Sequence, residues 1–96
     1  MARMPKYAAK VDRNQREIVD ALKECGCDVM FIGKPVELLI GVRGQNLLLE
    51  VKVPKAKGEP GGKLTPEQEV FFKEWRGQKA VVRTPEEALK AVGLVG

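Results

Sequence analysis

The chain has 96 residues, 17 Lys and Arg against 13 Asp and Glu, a net charge of +4 and a pI near 9.2, with 44% hydrophobic and 31% charged residues. That balance belongs to one folded domain rather than a disordered segment, and no stretch approaches the ~20 apolar residues of a membrane span or the apolar core of a signal peptide. The sequence contains no His and no Ser, which excludes Ser–His nucleophilic catalysis and imidazole metal ligation. Carboxylates, carbonyls and water remain, the ligand set of Mg²⁺ or Mn²⁺, and the basic surplus suits an anionic partner.

Residues 1–11, with Arg3, Lys6 and Lys10, lack apolar periodicity and read as a basic flexible lead-in, leaving 12–96 as a single domain. Asp12 has the character of a helix N-cap with Gln15 as its box partner. Ile18, Val19, Ala21, Leu22 and Cys25 follow at helical spacing, and Gly26 closes the helix. Cys25 and Cys27, with no second pair to complete a zinc site, read as small core thiols. Residues 28–32 are a short strand that Gly33-Lys34-Pro35 ends.

The apolar runs 38–42 and 47–53 flank Arg43-Gly44-Gln45-Asn46, where Gly44-Gln45 is expected as the two-residue loop of a type II′ hairpin. Residues 54–63 form a loop of breakers carrying Lys55, Lys57 and Lys63. Thr65-Pro66-Glu67-Gln68 joins a cap, a first-turn proline and a box partner, and starts a helix whose Phe71, Phe72 and Trp75 are expected in the core. Ala80-Val81-Val82 is a strand, and Thr84-Pro85-Glu86-Glu87 opens a last helix with Ala88, Leu89 and Val92. Helix, three strands, helix, strand, helix describes an α/β domain with no internal repeat.

The charges in the hairpin are the sequence's anomaly. Glu50 and Lys52 lie two apart in an apolar run and therefore share one face of the strand. With Gly44-Gln45 as the loop, Glu37 opposes Lys52 and lies diagonal to Glu50, about 7 Å away or less between Cβ atoms. A slip of one residue would send Glu37 to the other face. An ordinary Glu37–Lys52 surface ion pair, worth about 1 kcal/mol at most, accounts for one pair and leaves Glu50 among leucines unexplained.

This element order, with an acid before the second strand and Glu50-Val51-Lys52 on the third, resembles the core of the PD-(D/E)XK nuclease superfamily. Leu48-Leu49-Glu50-Val51-Lys52 and Leu64-Thr65-Pro66-Glu67-Gln68 are similar, more narrowly, to the small stand-alone VRR-NUC proteins of phages and bacteria. The resemblance runs over roughly residues 12 to 92. It departs at Val36-Glu37, where the family usually has Pro-Asp and Pro35 stands one place early, so the carboxylate sits on a longer arm.

The resemblance implies a restriction-endonuclease-like fold, a mixed sheet flanked by helices. It implies a Mg²⁺-dependent endonuclease, with Mn²⁺ as substitute, that hydrolyses DNA and selects Holliday junctions or other branched DNA. A homodimer in the cytoplasm of a bacterial or phage-infected cell follows. Glu37, Glu50 and the carbonyl of Val51 would hold the metal, and Lys52 would orient or deprotonate water. Glu17 would support the metal from the first helix or be a solvated helix residue; Gln68 would position water or Lys52 or serve only its cap. Lys34, Arg43, Lys55, Lys57 and Lys63 would grip phosphates, the loop lysines having the plain alternative of a solvated linker. The competing readings are an inactive nucleic-acid-binding module and a structural subunit of a phage or repair assembly.

Overall fold

The computed structural model describes residues 6–56, 58 and 61–93. Its elements are α1 (Lys6–Glu24), β1 (Asp28–Phe31), β2 (Leu38–Val42), β3 (Gln45–Val51), α2 (Pro66–Glu74), β4 (Lys79–Val82) and α3 (Pro85–Gly93). This is the expected order. The strands form one sheet in the order β1-β2-β3-β4, antiparallel across the first three and parallel between β3 and β4. The parallel step needs a crossover, and α2 lies within it. No helix among the described residues is long and apolar enough to cross a membrane.

Alternation along the strands builds the core. Leu38 and Ile40 of β2, Leu47 and Leu49 of β3 and Val82 of β4 are buried with Ile18, Val19 and Leu22 of α1 and Ala88 and Val92 of α3. These residues form the face that α1 and α3 cover. Cys27 belongs to this cluster, and burial, with Cys25 and Asp28 beside it, pushes its thiol above the usual range. Cys25 is exposed, so only one of the two thiols is a core group.

Three expectations are corrected. The first helix begins at Lys6, not at Asp12: the run Lys6-Tyr7-Ala8-Ala9-Lys10 holds good helix formers and no breaker. Asp12 therefore lies inside α1 and Gln15 is released from the capping role. Residues 6–11 of the expected lead-in are therefore helical, and residues 1–5 lie outside the described residues.

The hairpin turns on Arg43-Gly44, not Gly44-Gln45. Val42 pairs with Gln45, Gly41 with Asn46, Ile40 with Leu47, Leu39 with Leu48 and Leu38 with Leu49. Arg43 and Gly44 both have positive φ, 49° and 75°, the requirement of a type I′ turn, in which glycine suits the second central place. The register thus differs by two residues from the expected one. Since side chains alternate with period two, every residue keeps its face.

The third correction concerns the aromatic helix. No residue of α2 is buried; Trp75 is 48% and Val70 54% exposed. The rings pack on one another instead, Phe71 stacked on Trp75 with centroids 5.6 Å apart and edge-on to Phe72 at 5.4 Å. The physical reason is placement. Gln68 of α2 reaches Glu50, whose side chain leaves β3 on the face opposite Leu49, so α2 lies across the sheet from the core. Trp75 also bends back over Gly77, where a Cβ would lie 2.6 Å from the indole nitrogen.

Candidate functional site

The site begins where β2 and β3 end together. Continuing the observed register one step past Leu38–Leu49 places Glu37 directly opposite Glu50, closer than the diagonal relation expected. Glu37 stands one residue before β2, and its main chain is fixed: its carbonyl accepts from the N–H of Ile32 at 2.9 Å and of Gly33 at 3.2 Å. Its own N–H donates to Glu50 Oε1 at 2.8 Å. The Lys34–Pro35 peptide between these anchors is cis.

Glu50 is the one charged residue buried among the described residues, at 4% exposure. Besides the Glu37 N–H on Oε1, its Oε2 accepts from Gln68 Nε2 at 2.8 Å and pairs with Lys52 Nζ at 3.1 Å. Burying a carboxylate unpaired is costly; three donors offset that cost here. The ion pair is thus Lys52–Glu50, two places apart on one strand face, rather than the Glu37–Lys52 pair that the expected register would have set opposite.

Gln68 combines two tasks that the sequence offered as alternatives. Its Oε1 accepts from the Thr65 N–H at 3.1 Å, and its N–H donates to Thr65 Oγ1 at 3.2 Å, closing the capping box. The amide nitrogen remains and goes to Glu50. An amide has both an acceptor and donors, so one side chain serves both the cap and the site.

Two residues of α1 complete the arrangement without having been expected there. Gln15 Nε2 donates to Glu37 Oε1 at 2.6 Å, and Asn14 Nδ2 donates to the Lys52 carbonyl at 2.9 Å. The signal for Gln15 was its helical position: at about 100° per residue it falls between Ile18 and Val19 on the buried stripe. Glu17 lies nearly opposite that stripe and is exposed, which removes it from the site and leaves the solvated alternative. Gln15 holds the place on α1 that Glu17 was expected to hold.

Val51 contributes through its backbone. The Lys52 N–H donates to the Val82 carbonyl of β4 at 3.0 Å. A trans peptide points its carbonyl opposite to its N–H, so the Val51 carbonyl is directed away from β4, toward the side of β2 and Glu37. Glu37, Glu50 and this carbonyl are the oxygen donors that two neighbouring segments bring to this end of the sheet. Among the described residues no group of three or more His, Cys, Asp and Glu side chains gathers as a metal site, so a cation here would rely on the main-chain oxygen as well as the two carboxylates.

The basic residues divide. Lys34 is exposed and lines a cleft of about 480 Å³ with Gly33, Pro35, Thr65, Glu67 and Gln68, the last of which bonds Glu50. Lys55 and Lys63 are exposed on the loop after β3. That loop returns through a bond from the Gly62 N–H to the Val53 carbonyl at 3.0 Å, and Gly62 lies against the Lys52 stem. Lys57 lies outside the described residues. Arg43 does not join the others: it stands at the far tip of the hairpin, about 20 Å along the strands by their rise per residue, where its Nη2 donates to the Val92 carbonyl at 2.6 Å. A cation at a helix C-terminus satisfies an orphan carbonyl and opposes the negative dipole end, so Arg43 serves the fold.

Arg83 has a comparable anchoring part near the site, its Nη1 donating to the Val53 carbonyl at 2.8 Å. Compared with known proteins, the chain matches no family model, no curated protein and no solved structure.

Proposed function

We propose that this chain is a Mg²⁺-dependent nuclease of the PD-(D/E)XK type, hydrolysing DNA phosphodiester bonds, with branched DNA as substrate and a homodimer as the working unit. The observation that carries the reading is the Glu37–Glu50–Lys52 arrangement. Two carboxylates and an ammonium are brought to the end of an apolar hairpin, with Glu50 buried and each of its oxygens held by a donor from a different segment. The αβββαβα order and the mixed sheet are consistent with a restriction-endonuclease-like core.

Two carboxylates and a carbonyl are hard oxygen donors and fit Mg²⁺ or Mn²⁺, with water completing the coordination. When bound, the cation supplies charge neutralisation on the phosphate and makes an attacking water more acidic. The protein's own residues do the rest. Gln68 and the Glu37 N–H hold the Glu50 carboxylate in one rotamer. Gln15 aims the Glu37 carboxylate, offsetting the longer glutamate arm at the position where the similar family has aspartate. Lys52 supplies a positive donor to a phosphate oxygen or to the attacking water, with its backbone fixed by Asn14 and Val82. Lys34, Lys55 and Lys63, exposed around this centre, contact flanking phosphates.

The test is a Mg²⁺ titration of purified protein against a four-way junction, a flap and a linear duplex, with Glu50→Ala as control. Cleavage of the junction that requires Mg²⁺ and disappears in the variant is expected. Absence of cleavage on all three, with the variant indistinguishable from wild type, overturns the reading. One observation favours a noncatalytic nucleic-acid-binding module: three donors, one of them the Lys52 ammonium, already engage both oxygens of the Glu50 carboxylate. That reading requires salt-sensitive DNA binding that survives Glu50→Ala and no rise in melting temperature with Mg²⁺.

A further inference from the structure

Glu50 Oε2 carries two donors of unequal character. Gln68 is fixed, its Oε1 and backbone N–H both engaged with Thr65 in the cap of α2. Lys52 reaches the same oxygen at 3.1 Å on a flexible four-carbon stem, with 17% of its side chain exposed. The stem runs beside Gly62, where an added Cβ would meet the Lys52 Cβ at 3.4 Å and Cδ at 3.5 Å. With no side chain on that glycine, the stem is not crowded there.

A carboxylate oxygen offers two lone-pair positions, and the Gln68 and Lys52 donors occupy both on Oε2. A divalent cation approaching Glu50 thus finds Oε2 filled and one position left on Oε1 beside the Glu37 N–H, and meets a like charge held against the same carboxylate in a buried setting where repulsion is weakly screened. The group best able to draw Lys52 off is another anion with strong acceptor oxygens, and a DNA phosphate is one.

We propose that Lys52 closes the centre to divalent cations until a DNA phosphate takes its ammonium from Glu50, so that cation and DNA bind cooperatively. The inference rests on the nuclease reading above and adds a binding order to it. By linkage the coupling is reciprocal: DNA tightens the cation by the factor by which the cation tightens DNA.

The experiment uses Ca²⁺, a hard cation suited to oxygen ligands, titrated calorimetrically into wild type, Lys52→Met and Lys52→Arg, with and without a short DNA duplex. Circular dichroism checks the fold of each variant. In wild type, duplex is expected to tighten Ca²⁺ at least tenfold. Lys52→Met, which keeps the stem and removes the charge, is expected to bind Ca²⁺ at least tenfold tighter than wild type without DNA, and to lose most of the coupling. Lys52→Arg keeps a cation and retains weak Ca²⁺ binding without DNA. If wild type binds Ca²⁺ equally well with and without duplex, the inference falls and the nuclease reading stands; the same holds if a folded Lys52→Met gains no affinity. If no protein binds Ca²⁺ in any arm, both fall together. The wild-type arms decide the matter even if Lys52→Met does not fold.

Discussion

Helices α2 and α3 open alike and end differently. Each runs nine residues behind a threonine and begins with proline and glutamate, and in each the residue three past the threonine donates its N–H to the threonine hydroxyl. In α3 that residue is Glu87, whose Oε1 accepts from the Arg83 N–H at 2.8 Å, and the helix buries Ala88 and Val92. In α2 it is Gln68, whose oxygen closes the cap and whose nitrogen goes on to Glu50, and the helix has no fully buried residue, Phe71 and Phe72 being half-buried. The same local signal therefore makes one helix that completes the core and one that holds a side chain over the candidate centre. The difference comes down to a nitrogen: glutamate accepts only, whereas glutamine also donates.

Six substitutions put this contrast at risk. The largest effect is expected at Ala88, which is fully buried in α3: Ala88→Asp places an unpaired carboxylate in the core, costs at least about 3 kcal/mol and removes the cooperative thermal transition seen by circular dichroism. Val70→Asp, on the 54% exposed site of α2, should change stability by less than about 0.5 kcal/mol. Comparable losses at the two positions would mean that α2 is covered after all.

Next is Gln68→Glu, which keeps the cap acceptor but replaces the donor to Glu50 with a like charge. A loss of about 2 kcal/mol should lower the melting temperature by roughly 10 °C, together with loss of Mg²⁺-dependent cleavage. Normal melting in this variant would mean that the 2.8 Å contact to Glu50 carries no weight.

Thr65→Ala and Thr84→Ala should each cost about 1 kcal/mol through the lost cap. Their functional consequences should separate, because only Thr65→Ala frees Gln68; equal DNA cleavage by the two variants would erase the distinction. Glu87→Gln should be the mildest, within about 0.5 kcal/mol, since an amide oxygen can still accept from the Arg83 N–H. A melt displaced by several degrees would show that the charge, not the acceptor, matters in α3.

Much of this was legible because it is local. Threonine, proline and a box partner mark a helix start without knowledge of the rest of the chain, and both starts were placed correctly. Glu50 and Lys52 were conspicuous because charges on an apolar strand need partners. The hairpin was read two residues out of register, yet a period-two pattern forgives an even error, so the right faces met. What escaped depended on placement in space. The apolar spacing of Phe71, Phe72 and Trp75 cannot say whether the sheet face beneath them is the core face. Gln15 looked like a cap partner because the true start of α1 lay upstream in a stretch without apolar periodicity. The bond from Arg43 to α3 was hidden because nothing nearby in sequence reveals that the end of this helix lies against the hairpin tip.

The bond between Arg43 and the Val92 carbonyl joins residues 49 apart, while those that assemble the candidate centre are shorter in sequence: Glu37 to Glu50 spans 13, Gln68 to Glu50 18, Gln15 to Glu37 22 and Asn14 to Lys52 38. Made from its N-terminus, the chain has every member of the centre by Gln68, before β4 and α3 exist to seal the apolar face. Loop closure over such short spans is entropically mild, so the polar cluster can gather early, whereas the Arg43 latch must wait for almost the last turn to be synthesised.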